Sequence, residues 1–408
     1  MGDSMSGNEK RILAVVGSSM ALFWPGALIF GFPGVMAPFW QEMFHVGSGA
    51  IGNILFSVLA AIGIFMFLVG RWQERYGTRA MITSGAIICG LSIIIVAYAS
   101  SVFMLYIWGF LIGVSSCFIL IPALTTVQWW YPQKRGLVSG IVNLVFGLSA
   151  AIMSPLFGYM LKSIGYVPMI YTISVLALVT GLTAAYLAKA PEMATSPAGR
   201  SSGTKLAGAV GLGTSLSVQE SVRTRSFWSL WATWAMMGAA GIAMVTLSTS
   251  YGLSKGFSLE SAVIILTAFN ITNGTGRLVT GYLYDIIGRN LTMSTTFFAA
   301  GFAYFILPHA SSLAACAILA AVVGFAFGAL FAVSAPLVTD CFGLEHFGAI
   351  FGLIFTAYGF VAGALGPSLG GYLLDVTGGD YFVVFLYLGI FCVLSGLCIR
   401  FVVPPNQV

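Results

Sequence analysis

GRWQERYGTR at 70–79 and GYLYDIIGRN at 281–290 share one pattern, G-x-x-x-D/E-x-x-G-x-R/N, and each follows a long apolar run. Gly70 and Gly281, Glu74 and Asp285, Gly77 and Gly288 all stand 211 residues apart. A second match lies further along each copy. Gly136 and Gly348, Gly140 and Gly352, Gly147 and Gly359, Pro155 and Pro367, Gly158 and Gly370 are each 212 apart. Recurrence at one spacing means that the chain consists of two halves of the same build, threaded in the same direction.

Composition says what the halves are made of. The 408 residues are 59% hydrophobic and only 7% charged, with a mean hydropathy of +0.98. A soluble domain is about 25% charged, so a soluble fold is excluded. A nucleic-acid binder is excluded too, because the net charge of +5 rests on few groups. Apolar runs fall at 12–38, 50–69, 80–99, 103–127, 136–161, 168–188, 228–250, 260–284, 291–308, 312–338, 347–373 and 381–402. A membrane helix needs about 20 apolar residues, so these are twelve spans. We expect an all-α membrane protein of two six-helix halves, 1–189 and 227–408. The polar stretch 190–226 reads as a linker, ending in a short surface helix over SVQESVRTRSFW.

If the N-terminus is cytoplasmic, fourteen of the 17 Lys and Arg fall on the cytoplasmic side, Lys162 and Lys255 on the other, and Arg277 inside a span. Basic residues favour the cytoplasmic side, so both termini and the linker are expected there, in a multi-pass cell membrane protein. The polar start MGDSMSGNEKR precedes too long an apolar run for a cleaved signal and is expected to be retained. The six Cys show no metal-ligand spacing and read as small packing residues. No phosphate-cradling loop or catalytic triad is present, and GLGTSL at 211–216 lacks the strand and Lys of a P-loop. Neither an enzyme nor an ATP-driven pump is expected, and no cofactor.

The 70–79 and 281–290 loops resemble the signature of the major facilitator superfamily, secondary transporters whose halves relate by an axis along the membrane normal. The resemblance makes Gly70, Glu74, Arg75, Gly77, Arg79, Gly281, Asp285 and Arg289 gating residues: glycines let helices approach, acids cap a helix N-terminus, and bases hold the cytoplasmic gate. Glu74 stands where Asp is commoner. GPSLG at 366–370 resembles the family's span 5 motif, where span 5 itself has SPLFG. WWYPQKRGLVSG at 129–140, VRTRSFWSLW at 222–231 and NGTGR at 273–277 resemble the oxalate/formate antiporters and the monocarboxylate transporters. In that branch the span 8 Arg, here Arg277, binds a substrate carboxylate.

The residues support this independently. A charge within a membrane helix costs roughly 2.5–3.5 kcal/mol on insertion scales and must face protein or a water-filled cavity. At 1.5 Å per residue, Arg277 lies about 7.5 Å past the middle of span 8. Asn270, Asn273 and Arg277 form one polar stripe at i, i+3, i+7. A guanidinium fork suits a carboxylate. A structural Arg reaching towards the cytoplasm is the rival reading.

The departures from those relatives are specific. Tyr358 takes the place of the span 11 Lys that gives oxalate exchangers a second positive charge. Asn273 takes the place of an acid tied to proton coupling in animal-type monocarboxylate transporters. Leu120, Phe146 and Phe331 replace polar tyrosines, and Leu28 stands where a polar residue is expected. The expected function is transport of a small monocarboxylate, with Arg277 binding it and Asn273, Asn143 and Tyr358 positioning it. Leu28, Leu120, Phe146, Phe327, Phe331 and Phe355 would contact its body. Proton symport is preferred, by a monomer in the lipid bilayer. Anion exchange, a non-translocating sensor and an exporter of amphipathic compounds stay open.

Overall fold

The computed structural model describes residues 7–131, 135–191, 216–343 and 346–403. These form twelve helical segments of membrane-crossing length, and among the described residues there is no strand. The first six run Gly7–Phe30 with Phe32–Phe44, Ser48–Tyr76, Thr78–Ser92 with Ile94–Ala97, Val102–Trp130, Arg135–Ser163 and Tyr166–Leu187. The second six run Arg225–Ser254, Leu259–Ile287, Arg289–Ile306 with Leu307–His309, Leu313–Phe342, Phe347–Thr377 in four pieces, and Tyr381–Cys398 with Ile399–Phe401. They are numbered here as spans 1 to 12. Eleven helices are long and apolar enough to cross a membrane, and span 8 is not among them. It has the length, at 29 residues. Its hydropathy is lowered by Asn270, Thr272, Asn273, Thr275, Arg277 and Thr280.

The repeat is visible in the backbone. Each motif loop turns on a glycine in the left-handed half of φ/ψ space, Gly77 (φ 82, ψ 159) and Gly288 (φ 83, ψ 159). A side chain is strained there, which is why both copies keep glycine. Each glycine also closes the preceding helix, donating its N–H to Gln73 O and Tyr284 O respectively. Polar residues start several of the other spans: Thr224, Ser258, Ser312 and Asp380 each accept a hydrogen bond from the first turn that follows. Before span 7, the helix Val218–Val222 opens with a reciprocal Ser217/Glu220 capping box. Of the linker, 192–215 lies outside the described residues.

Span 8 packs along span 10 in its own half and across onto span 5 in the other; span 2 packs along span 4 and across onto span 11. Both cross-half seams are set by glycines. A Cβ on Gly147 would sit 2.7 Å from Gly274 Cα, and a Cβ on Gly359 would sit 2.7 Å from Gly63 Cα. Gly147 and Gly359 are 212 apart, and Gly63 and Gly274 are 211 apart. The two crossings are therefore one feature repeated by the internal symmetry.

The ends of the seams differ. At the face away from the motif loops the halves interlock. Glycines 34, 52 and 371 lie against backbone carbonyls of the opposite half, those of Val245, Pro367 and Ser48. Asp375 of span 11 accepts from the Ser48 N–H (2.7 Å) and Gly49 N–H (2.9 Å), capping span 2. Lys162 of span 5 pairs with Glu260 of span 8 at 2.5 Å. Towards the motif face the fit loosens: a Cβ on Gly140 would meet only Leu278 Cδ1, at 3.9 Å, and one on Gly281 would meet nothing within 4 Å. On the side to which a Gly281 Cβ would point no neighbour approaches, so the close helix approach expected at Gly281 is not made in this state.

Candidate functional site

Arg277 projects from the middle third of span 8 into the seam between the halves and is 3% exposed. Asn273 and Asn270, one and two turns earlier, are fully buried on the same stripe. Asn270 Nδ2 donates to the Phe30 carbonyl of span 1 (3.1 Å), which anchors the stripe to the other half. The guanidinium itself is poorly satisfied. Nη1 reaches the backbone carbonyl of Asn143 at 3.4 Å and Nη2 reaches Asn273 Oδ1 at 3.4 Å. Both exceed the 2.7–3.2 Å typical of such bonds. Nε has no partner, nor do Asn273 Nδ2 and the Tyr358 hydroxyl, all of them buried. Both ion pairs among the described residues, Lys162–Glu260 and Arg289–Asp340, lie elsewhere. The guanidinium's five N–H donors thus meet no carboxylate among the described residues.

Aromatic rings flank the guanidinium. The guanidinium carbon lies 4.5 Å from the Phe331 ring centre and 5.5 Å from that of Phe146. Both rings line a narrow cavity between the halves. The rest of its wall is Ile29 and Phe30 of span 1, Ile62 and Met66 of span 2, Ser116, Cys117 and Leu120 of span 4, and Phe355 and Tyr358 of span 11. Leu120, Phe146, Phe331, Phe355 and Tyr358 thus lie together in one cavity wall. Leu28 and Phe327 do not line the cavity. Span 1 presents Ile29 and Phe30 instead, just before its break at Gly31, and Leu28 is packed away, fully buried. Phe327, one turn from Phe331, stands behind it with ring centres 5.2 Å apart, against Gly241. Asn143 contributes its carbonyl rather than its amide to the Arg277 contact.

Trp234 of span 7 is part of the same construction and is not evident from sequence. It is fully buried, donates to Ser334 Oγ at 3.0 Å, and holds Phe331, Phe355 and Tyr358 with ring centres 5.0, 4.5 and 5.4 Å away. Its signal would have been a tryptophan deep in an apolar span, where its N–H needs a partner. Tyr358 sits where span 11 widens to π-helical turns, over Ala357–Ala362 and again over Ala364–Ser368. Such turns often mark functional sites. Gly359, Gly363, Gly366 and Pro367 supply the small side chains, and Pro367 the missing N–H, that allow the widening.

At the motif face Arg289 pairs with Asp340 at 2.5 Å, and the Tyr284 hydroxyl meets the same carboxylate oxygen. Arg75 and Arg79 lie over the rings of Tyr76 and Tyr186. The placements of Gly70 and of the Glu74 and Asp285 side chains lie outside what is described.

The sequence pattern of the Major Facilitator Superfamily matches residues 19–315 and 264–408, which together take in almost the whole chain. The chain is 25% identical to the oxalate:formate antiporter of Oxalobacter formigenes over 338 residues, 82% of this chain and 78% of that one. It is 24% identical to monocarboxylate transporter 13 of Rattus norvegicus over 408 aligned positions, 94% and 88% of the two chains. Among solved structures, a bacterial homolog of the human lysosomal transporter Spinster, inward-facing and unoccupied, superposes with a TM-score of 0.71 over 98% of each chain at 14% identity. Twelve spans, the repeated loop and these matches agree: the chain is a multi-pass membrane transporter and belongs to the Major Facilitator Superfamily.

Proposed function

We propose that the protein carries a small monocarboxylate across the membrane by alternating access, with Arg277 as the carboxylate-binding residue. One observation carries this reading. A buried arginine between the halves has an unpartnered Nε, two long contacts, and no acid paired with it among the described residues. One guanidinium balances one carboxylate. Asn273 Nδ2 and the Tyr358 hydroxyl, both buried without partners, are further donors for it. Leu120, Phe146, Phe331 and Phe355 then face the substrate's body, with Ile29, Phe30 and Met66 added from the geometry. The relatives named for monocarboxylates and for oxalate and formate point to the same substrate class.

The halves are 1–189 and 227–408, joined by a cytoplasmic linker, and both termini are cytoplasmic. The face bearing Arg75, Arg79 and Arg289 is then the cytoplasmic gate of a plasma-membrane carrier, and the interlocked face points outward. We prefer electroneutral proton symport: loaded and empty carrier both hold the Arg277 charge and differ by an anion plus a proton. Exchange of two anions is the second reading, favoured by the lack, among the described residues, of an acid to offset Arg277 when the site is empty.

The test is counterflow in proteoliposomes with lactate, pyruvate, acetate, formate, oxalate and benzoate. Arg277→Gln should abolish carboxylate counterflow at near-normal expression, and Arg277→Lys should restore little, because an ammonium does not reproduce the fork. Full transport by Arg277→Gln would refute the reading. Symport predicts uptake that rises with an inward proton gradient and ignores membrane potential; exchange predicts a strict need for a trans anion.

A further inference from the structure

An empty carrier with a buried arginine faces a physical difficulty. To return without cargo it must close over a positive charge that no anion offsets, in surroundings where desolvated charge is costly. The state described here shows how that charge is housed. The halves are interlocked at one face through Asp375 and the glycine–carbonyl contacts at Gly34, Gly52 and Gly371. Arg277 is 3% exposed and its hydrogen bonds are long. Its guanidinium lies between two phenylalanine rings, one from each half: Phe146 on span 5 and Phe331 on span 10. A ring face is negative at its centre and attracts a cation, more strongly when both are out of water.

We infer that Phe146 and Phe331 act as a surrogate counter-charge for Arg277 in the empty, closed carrier, and so permit net transport instead of obligatory exchange. The inference rests on the carboxylate reading of Arg277 but assigns the rings a task that reading does not require. In the loaded carrier the carboxylate neutralises the guanidinium and the ring faces matter less. In the empty carrier they supplement two neutral acceptors, the Asn143 carbonyl and Asn273 Oδ1, each held at a long 3.4 Å. Replacing the rings should therefore slow the empty return step more than the loaded steps, in which they also touch the substrate's body. Two features make the bracket specific to this step. Its members belong to opposite halves, so it is complete only when the halves meet at the seam. Phe331 is also held in place from behind by Trp234 and Phe327, which keeps its face on the arginine.

The experiment has two arms. The first needs no substrate. Melting in detergent is measured for the unmodified protein, Phe331→Leu, Arg277→Met, and the double variant; Phe146→Leu is treated in the same way. Leu keeps an apolar side chain and removes the ring face. The expected result is non-additivity: Phe331→Leu lowers the melting temperature by several degrees when Arg277 is present, and much less in the Arg277→Met background. Equal shifts in both backgrounds would show that the rings only pack, and would overturn the inference.

The second arm compares net uptake into empty proteoliposomes with exchange into preloaded ones. The probe is whichever of lactate, pyruvate, acetate, formate or benzoate gives the largest counterflow. Phe146→Leu/Phe331→Leu should lower net uptake at least tenfold relative to exchange, equivalent to about 1.4 kcal/mol on the empty step. Net uptake and exchange falling in parallel would also overturn it. If none of these acids is carried by the unmodified protein, the carboxylate reading fails, while the melting cycle still decides whether the rings hold the charge.

Discussion

Gly147→Ala should impair transport far more than it impairs folding, and span 5 carries its own controls. The added Cβ would stand 2.7 Å from Gly274 Cα and 3.1 Å from its N. Ordinary contact begins at 3.4 Å, so spans 5 and 8 must part by about 0.7 Å at this crossing. The obstacle is backbone, which cannot rotate away as a side chain tip can. Overpacking of this kind costs roughly 1–3 kcal/mol. Alanine also favours the helix by about 0.5–1 kcal/mol over glycine, but it does so in every conformation and cancels from the balance between them. Melting should therefore shift little, while the population of the state with the crossing closed falls about 5- to 150-fold. Gly140→Ala and Gly158→Ala, whose nearest contacts would be 3.9 Å and 4.0 Å away, should melt at or above the unmodified temperature and transport normally. The assay is initial counterflow rate per folded protein, beside melting in detergent. Normal transport by Gly147→Ala would refute the argument. So would a large melting loss with an unchanged rate, because the crossing would then persist through the whole cycle as a fixed pivot.

Three further outcomes follow from the geometry. Asp375→Ala should speed hydrogen exchange at the Ser48 and Gly49 amides that its carboxylate caps, whereas Lys162→Ala, breaking a pair with side chains 75% and 60% exposed, should leave melting unchanged in physiological salt; equal protection of both amides in Asp375→Ala would remove the cap from the gate. Oxalate should compete poorly against a monocarboxylate of similar size, since its second carboxylate finds no cation, and Tyr358→Lys should shift competition towards oxalate; strong oxalate competition in the unmodified protein would show a second counter-charge at the site. The Glu220 carboxyl is held below its usual range chiefly by the Ser217 hydroxyl and backbone N–H. A depressed value means that the capping box contributes stability above the ordinary carboxyl value of 4.5 and loses it as pH falls through the lowered one, so amide protection in Val218–Val222 should drop on acidification, and Ser217→Ala should weaken that dependence.

What was legible in the sequence depended on how each feature is encoded. The spans are encoded in composition, and the motif turns in glycines that only a positive φ requires, so both could be read from one chain. Arg277 was legible because a lone charge in an apolar run must have a destination. The cavity wall was less so. Leu28 and Ile29 are both apolar neighbours, and the choice between them is made by the break at Gly31 and by what spans 2 and 4 bring opposite. Trp234 was invisible for the same reason: its hydrogen bond to Ser334 spans 100 residues, and nothing local announces it. The π-helical turns of span 11 had a partial signal in Gly359, Gly363, Gly366 and Pro367, but small residues at that spacing describe tight packing equally well.

One operation on the sequence would have found much of the remainder. Subtracting the repeat offset of 211 from Asn273, Arg277 and Phe331 gives Ile62, Met66 and Leu120, and subtracting 212 from Tyr358 gives Phe146. All four of those partners line the cavity. The internal symmetry thus brings equivalent positions of the two halves to one region, and in three of the four pairs, all but Phe331 with Leu120, the C-terminal side chain is polar and the N-terminal one apolar. The C-terminal half supplies the amide, the guanidinium and the hydroxyl; the N-terminal half supplies isoleucine, methionine, leucine and phenylalanine. A symmetric scaffold can rock about its centre whichever half carries the polar groups, so the asymmetry is free to serve recognition. On the proposed carboxylate reading, Arg277, which lies behind the Phe146 and Phe331 rings and not in the cavity wall itself, would hold the carboxylate, and spans 2, 4 and 5 would meet the acid's body. The symmetry also explains why Phe146 can reach across to Arg277: it is the counterpart of Tyr358, and meets the charge from the apolar side.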